Sequence, residues 1–130
     1  MKSTFPDTTL PDQHAVLIVD DDADSRDALA SLLKTEGYQT AQVENGRRAI
    51  EHLRASLPQP ALILLDLEMP VMDGREFLSR LPLVKCTVQP IVIVITGQDP
   101  RAVSGAVAVF RKPLQINQLL SLMQRLLNAG

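Results

Sequence analysis

The sequence predicts an α/β domain: a parallel sheet of five strands with helices packed on both of its faces. Three observations carry this expectation. Short runs of branched apolar residues recur along the chain, as strands covered on both faces require. Stretches with apolar residues at helical spacing lie between them. The two kinds of segment alternate throughout, which is the pattern of crossover units rather than of hairpins. At 130 residues, 45% hydrophobic and 22% charged, the chain has the length and balance of one domain with a proper core.

The first strand is read at Ala15–Val19, an apolar run that ends in consecutive aspartates. Asp24 or Ser25 is placed to cap the helix that follows, whose Ala28, Leu29, Leu32 and Leu33 share one face, and Asp22 reads with Asp24 as a surface capping residue. Gly37 suits the left-handed residue that stops this helix. Tyr38–Val43 makes the second strand. Asn45 and Gly46 open a second helix, with Ile50, Leu53 and Leu57 inward, that ends before Pro58 and Pro60. Ala61–Leu65 is a third strand, with Asp66 at its carboxyl end. Asp73 and Gly74 form the turn and cap of a short helix through Phe77, Leu78 and Leu81, cut by Pro82. Ile91–Ile95 is the fourth strand, ending at Thr96, and Val107–Phe110 the fifth, ending at Lys112 and Pro113. Ile116, Leu119, Leu120, Met123, Leu126 and Leu127 define an amphipathic last helix. Right-handed crossovers with one reversal of strand order give a flavodoxin-like, doubly wound sheet in the order 2-1-3-4-5. Only Gly97–Ala106 joins the last two strands, and a crossover needs roughly ten to twelve residues even in its shortest form. The fourth helix is therefore expected to be short or missing.

Composition narrows the function. A net charge of -2 and a pI near 5.6 argue against a nucleic-acid surface, and the lack of tryptophan argues against a stacking platform for bases. Cys86 is the only cysteine, which fits a reducing cytoplasm. The apolar runs are too short to span a bilayer. Residues 1–14 are polar, carry Pro6 and Pro11, and read as a flexible leader or linker before a domain at 15–130. His14 and His52 have no partner at metal-ligand spacing, and Met69 and Met72 read as packing residues. Arg47, Arg48 and Arg54 read as a solvated helix face, with docking of an acidic partner as the alternative.

The chemistry gathers where such a fold binds ligands, beyond the carboxyl ends of the strands. Asp20, Asp21 and Asp22 come from the first strand, Asp66 from the third, Thr96 from the fourth and Lys112 from the fifth. Carboxylates from two neighbouring strands suit a hard cation such as Mg²⁺. An ammonium and a hydroxyl beside them suit phosphate oxygens. A carboxylate can attack phosphorus to give an acyl phosphate, provided cations offset the charge that gathers there.

The segments VLIVDDDADSR, LILLDLEMPVMDG, IVIVITG and FRKPL, in this order, resemble the four conserved segments of response-regulator receiver domains, and the likeness spans residues 15 to about 128. The resemblance implies that Asp66 takes a phosphoryl group from a phosphohistidine of a histidine kinase or histidine phosphotransfer protein. It implies that Asp21 binds Mg²⁺ directly, that Asp20 acts mainly through metal-bound water, and that Asp66 and the carbonyl of Glu68 complete the ligands. Lys112 would pair with the phosphoryl oxygens and Thr96 would donate its hydroxyl to one. Pro113 would follow a cis bond that aims Lys112 inward, and Gly97 would keep the approach open. Glu68 and Gln98 match two variable positions that influence phosphoryl lifetime, the first by charge and the second by orienting water.

The first helix would touch the donor protein, with Leu29 and Leu33 facing the core and Arg26 and Ala30 nearer the rim. Receivers usually carry an aromatic three residues before the lysine, where this chain has Val109. The adjacent Phe110 should point to the opposite face of the sheet. That loss suits a receiver that passes or stores phosphoryl groups, either free-standing or cut from a hybrid kinase or larger regulator. Two other readings stand beside it. A phosphatase resembling haloacid dehalogenases needs a second aspartate two residues after the nucleophile, where this chain has Glu68. A degenerate receiver that binds partners without phosphorylation would not need the intact acidic pair, Thr96 and Lys112. The sequence leaves the oligomeric state open.

Overall fold

The computed structural model describes residues 14–55, 59–86, 88–98 and 103–128. The expected leader, apart from His14, and the inward position of Leu57 lie outside the described residues. In chain order the elements are β1 (Ala15–Val19), α1 (Ala23–Thr35), β2 (Gln39–Val43), α2 (Gly46–Ala55), β3 (Leu62–Asp66), α3 (Gly74–Arg80), β4 (Ile91–Thr96), β5 (Ala108–Arg111) and α4 (Ile116–Asn128). The strands form one sheet in the order β2-β1-β3-β4-β5, and every neighbouring pair is parallel.

Alternation along the central strands divides the core between the two faces. Leu17, Val19, Ile63, Leu65, Val92 and Val94 pack with residues of α2 and α3, including Ala49, Leu53 and Phe77. Val16, Ile18, Leu62, Leu64, Ile93 and Ile95 pack with Ala30 and Leu33 of α1 and Leu119 and Met123 of α4. All of β3 is buried, which is why its sequence reads LILLD without a break. The edge strand β2 is half exposed, and QTAQV is correspondingly mixed. Val109 packs toward the α2–α3 side and Phe110 toward the α1–α4 side, as alternation requires. Met69 and Met72 are packing residues of the first of these clusters.

The helix ends follow local chemistry. Asp73 Oδ1 accepts the Glu76 N–H at 2.9 Å and Asn45 Oδ1 accepts the Arg48 N–H at 2.9 Å, each satisfying an otherwise unpaired first-turn donor. Gly37, at φ +94°, follows the C-cap Glu36 of α1. Arg47 and Arg48 pair with Glu44 and Glu51 on the exposed face of α2. Between β4 and β5 the described residues contain no helix. Val103 is buried in the core, Ala106 N donates to its carbonyl at 3.1 Å, and Gly105 turns the chain at φ +96°.

Several expectations shift. The N-cap of α1 is Asp22, one of the two aspartates read as capping residues, rather than Asp24 or Ser25, because the helix begins directly after the strand-end turn; Ser25 Oγ donates to Asp22 Oδ2 at 2.6 Å. The buried stripe of α1 is rotated accordingly. Ala30 is 2% exposed in the core rather than at the rim, whereas Ala28 is exposed. β3 and β5 each lie one residue further along than expected, so Asp66 is the last residue of its strand. The short helix does stop ahead of Pro82, at Arg80 with Leu81 as its C-cap, and Pro82 itself sits inside a 3₁₀ turn at Leu81–Leu83.

The loop from β3 to α3 stores backbone strain. Val71 has φ +72° and is 72% exposed, and Met72 N closes back on the Pro70 carbonyl at 2.9 Å. A β-branched residue in the left-handed region costs about 1–2 kcal/mol, and glycine there gives back about 0.5–1 kcal/mol in unfolded-state entropy. Val71→Gly should therefore stabilise the protein by a net ~0.5–1 kcal/mol. A urea midpoint that rises checks this, and one that falls would show that Val71 contributes more by contact than it costs by conformation.

Candidate phosphoacceptor site

β1 and β3 are adjacent and parallel, so their carboxyl ends bring Asp20 and Asp66 side by side. Asp20 is fixed on three sides. Its N–H donates to the Val43 carbonyl at 3.2 Å, its carbonyl accepts from Arg26 Nη1 at 2.6 Å, and its Oδ1 accepts the Asp22 N–H at 2.9 Å. One oxygen from each of Asp20, Asp21 and Asp66 lies within 4.8 Å of the others. Three hard oxygen donors at this spacing, one on an exposed residue, fit a partly hydrated Mg²⁺.

Asp66 is 5% exposed, and its Oδ1 accepts the Glu68 N–H at 3.3 Å. Lys112 Nζ stands 3.8 Å from Asp66 Oδ2 and 3.5 Å from Asp20 Oδ2. The lysine is brought in by β5, with its own N–H bonded to the Thr96 carbonyl at 2.8 Å, and the Lys112–Pro113 bond is cis. Burial pushes the Asp66 carboxyl up to about 6; the Asp20 and Glu68 carboxylates push the same way, while Lys112 and the Glu68 N–H pull it down.

Thr96 ends β4 and is 1% exposed. Its hydroxyl donates to Glu68 Oε2 at 3.0 Å and accepts the Gln98 N–H at 3.1 Å. Gly97 is exposed, and a side chain there would meet nothing within 4 Å. Gly74 is the opposite case. A Cβ on it would lie 2.6 Å from the Asp66 carbonyl oxygen and 2.8 Å from Leu67 Cα, so only glycine lets α3 seat against the end of β3. An apolar groove of about 420 Å³ opens beside the carboxylates, walled by Ala28, Leu29 and Leu32 on one side and Leu114 and Ile116 on the other.

The site residues expected from the sequence thus meet: Asp20, Asp21, Asp66, Glu68, Thr96 and Lys112 all converge at one end of the sheet. Two contacts were not foreseen. Arg26 is an internal strut, its guanidinium reaching back six residues to the Asp20 carbonyl. An arginine one turn into a helix that follows a strand-end aspartate is the signal that could have found it. The Thr96–Glu68 bond joins residues 28 apart in sequence, and no local pattern announces it. Among the described residues, no helix is long and apolar enough to cross a membrane.

Residues 16–124 match the family model of the response regulator receiver domain. The sporulation initiation phosphotransferase F of Bacillus subtilis is 32% identical over 117 residues, covering 86% of this chain and 92% of its own length. The chemotaxis protein CheY of the same organism is 30% identical over 120 residues, covering 88% and 98%. Among solved structures, a CheY-like response regulator receiver domain protein from Methanospirillum hungatei superposes with a TM-score of 0.77 at 26% identity, covering 89% of this chain and 94% of that one.

Proposed function

The chain belongs to the response regulator receiver domain family, a signalling domain of two-component systems, and on that premise we propose that Asp66 accepts a phosphoryl group from a phosphohistidine in a Mg²⁺-dependent reaction. The observation that carries this reading is a nearly buried carboxylate flanked by an ammonium at 3.8 Å and by two further carboxylates within 4.8 Å. Burial and neighbouring anions make ionised Asp66 costly, and an incoming phosphoryl group adds more negative charge. Such a site is tolerable only if cations converge on it.

One Asp66 oxygen forms the new bond to phosphorus as the bond from phosphorus to the donor imidazole breaks, and the imidazole leaves with the electron pair. Asp66 must be ionised to attack, so its raised pKa, about 6, places full nucleophile above that pH. Lys112 Nζ, already between Asp20 and Asp66, pairs with the phosphoryl oxygens. Thr96 offers its hydroxyl to another. The Asp21 and Asp66 carboxylates and the Glu68 carbonyl would hold Mg²⁺, with Asp20 acting mainly through metal-bound water, and the bound ion would supply positive charge to offset that of the phosphoryl group. The receiver domain spans residues 15–130 and assists its own phosphorylation and dephosphorylation, with no substrate beyond the phosphoryl donor.

The donor is a histidine kinase or a histidine phosphotransfer protein in the cytoplasm. Val109, three residues before Lys112 on β5, stands where receivers usually carry an aromatic. This supports a domain that passes or stores the phosphoryl group, in keeping with the name of the phosphotransferase it resembles.

Metal binding is checked without phosphorylation. Titrated with MgCl₂ in a calorimeter, the wild type should bind one ion, and Asp21→Asn should weaken that binding tenfold or more while preserving the fold. Equal affinity in the variant would remove Asp21 from the site. Transfer from a phosphohistidine donor protein should then stop when Mg²⁺ is chelated. Transfer that continues in excess chelator would contradict the metal-dependent reading.

A further inference from the structure

A hydroxyl has one proton to give, and the proton of Thr96 is already given. Its Oγ1 donates to Glu68 Oε2 at 3.0 Å, and its accepting side is taken by the Gln98 N–H at 3.1 Å. Thr96 is 1% exposed and ends a central strand, so bulk solvent offers its hydroxyl no other partner. Glu68, in contrast, is an exposed residue whose backbone is tied to the acceptor through its N–H to Asp66 Oδ1. Its carboxylate therefore presents to Thr96 the kind of anionic oxygen that a phosphoryl group on Asp66 would present.

We propose that the Glu68 side chain is a built-in competitor for the Thr96 hydroxyl, holding it in the unphosphorylated protein and slowing phosphorylation until it lets go. The inference rests on the acceptor reading above and deepens it. The Thr96 proton serves either Glu68 or a phosphoryl oxygen. Each phosphorylation event must break the Thr96–Glu68 bond before the hydroxyl can help, and each loss of the phosphoryl group lets the bond re-form. Glu68 is thus a positioning residue acting through Thr96, distinct from a charge that merely repels the donor. The two modes make different predictions, because only the first depends on the threonine hydroxyl.

The test is a double-mutant cycle on Glu68→Ala and Thr96→Val, with Glu68→Gln as a third variant, in the full chain with acetyl phosphate and Mg²⁺. Glu68→Ala should speed phosphorylation by about 3- to 10-fold, the worth of one hydrogen bond. In the Thr96→Val background the same substitution should change the rate less than twofold, because no hydroxyl is left to free. Glu68→Gln, which keeps an acceptor oxygen but no charge, should give a smaller rise than Glu68→Ala. Urea unfolding of the unphosphorylated proteins gives an independent readout: the double variant's midpoint should fall by less than the sum of the two single falls.

A rise that persists undiminished beside Thr96→Val, or that is equal in Glu68→Gln and Glu68→Ala, overturns the competitor and leaves charge as the mode. A wild type that gains a phosphoryl group with Glu68→Ala unchanged overturns the competitor alone. A wild type that gains none overturns the acceptor reading, and the brake with it.

Discussion

Replacing Lys112 by alanine is expected to slow phosphoryl gain from acetyl phosphate by about two orders of magnitude or more. Among the described residues, its Nζ is the cation that pairs with Asp66 Oδ2, at 3.8 Å, and it also stands 3.5 Å from Asp20 Oδ2. The group moving onto Asp66 brings negative oxygens to a residue that is 5% exposed, where little solvent can screen them. One preorganised charged donor at such a centre is worth about 10²–10³ in rate. Lys112 is 37% exposed and follows β5, so its removal should leave the fold intact. Lys112→Arg keeps the charge but replaces a compact ammonium with a larger planar group that spreads it, so it should rescue only part of the rate. Initial rates of mass gain at fixed Mg²⁺ measure all three proteins. A Lys112→Ala rate within threefold of wild type would mean that the lysine does not act on the phosphoryl group.

Asp66→Asn should make the metal-free protein more stable at pH 7.5, by about 2–3 kcal/mol. The Asp66 carboxyl is raised from the usual 3.8 to about 6 in the fold, so the folded protein holds that proton more tightly than the unfolded chain does. The stability this brings is fully present below about pH 3.8 and is lost as pH rises through about 6. Above that, the fold carries an ionised carboxylate in a place that favours the neutral form, at a cost on the order of 3 kcal/mol. Asparagine removes the charge and keeps the shape. The gain should shrink toward zero by pH 4, where aspartate is neutral in the fold, and Mg²⁺ should shrink it at pH 7.5 by stabilising the wild type alone. Urea midpoints across pH read this directly. A variant no more stable than wild type at pH 7.5 would show that Asp66 ionises without strain.

The central strands were legible because β1, β3 and β4 are buried on both faces and can be spelled only as apolar runs. Their ends then fixed Asp20, Asp66 and Thr96 to within a residue. Lys112 followed from the end of β5, and the thin connection after Thr96 from simple length. The phase of α1 was harder to read. Alanine weighs little in any periodicity, and Asp22 took the capping role while Ser25 bonded to its carboxylate rather than to the backbone. Ala30 therefore turned inward, and a charge placed there would disrupt the core rather than test a partner surface. Val71 gave no sign of its left-handed backbone, because β-branched residues argue against one. The Arg26 strut and the Thr96–Glu68 bond depend on side-chain reach across folded distance, which spacing along a chain does not encode.

The acceptor assignment is tested most directly by intact-mass analysis after incubation with acetyl phosphate and Mg²⁺, comparing wild type with Asp66→Asn. The account predicts that the wild type gains the mass of one phosphoryl group, that the gain is lost on adding chelator beforehand, and that Asp66→Asn gains nothing. A wild type that gains no mass at any Mg²⁺ concentration, or an Asp66→Asn variant that gains as much as wild type, would contradict it.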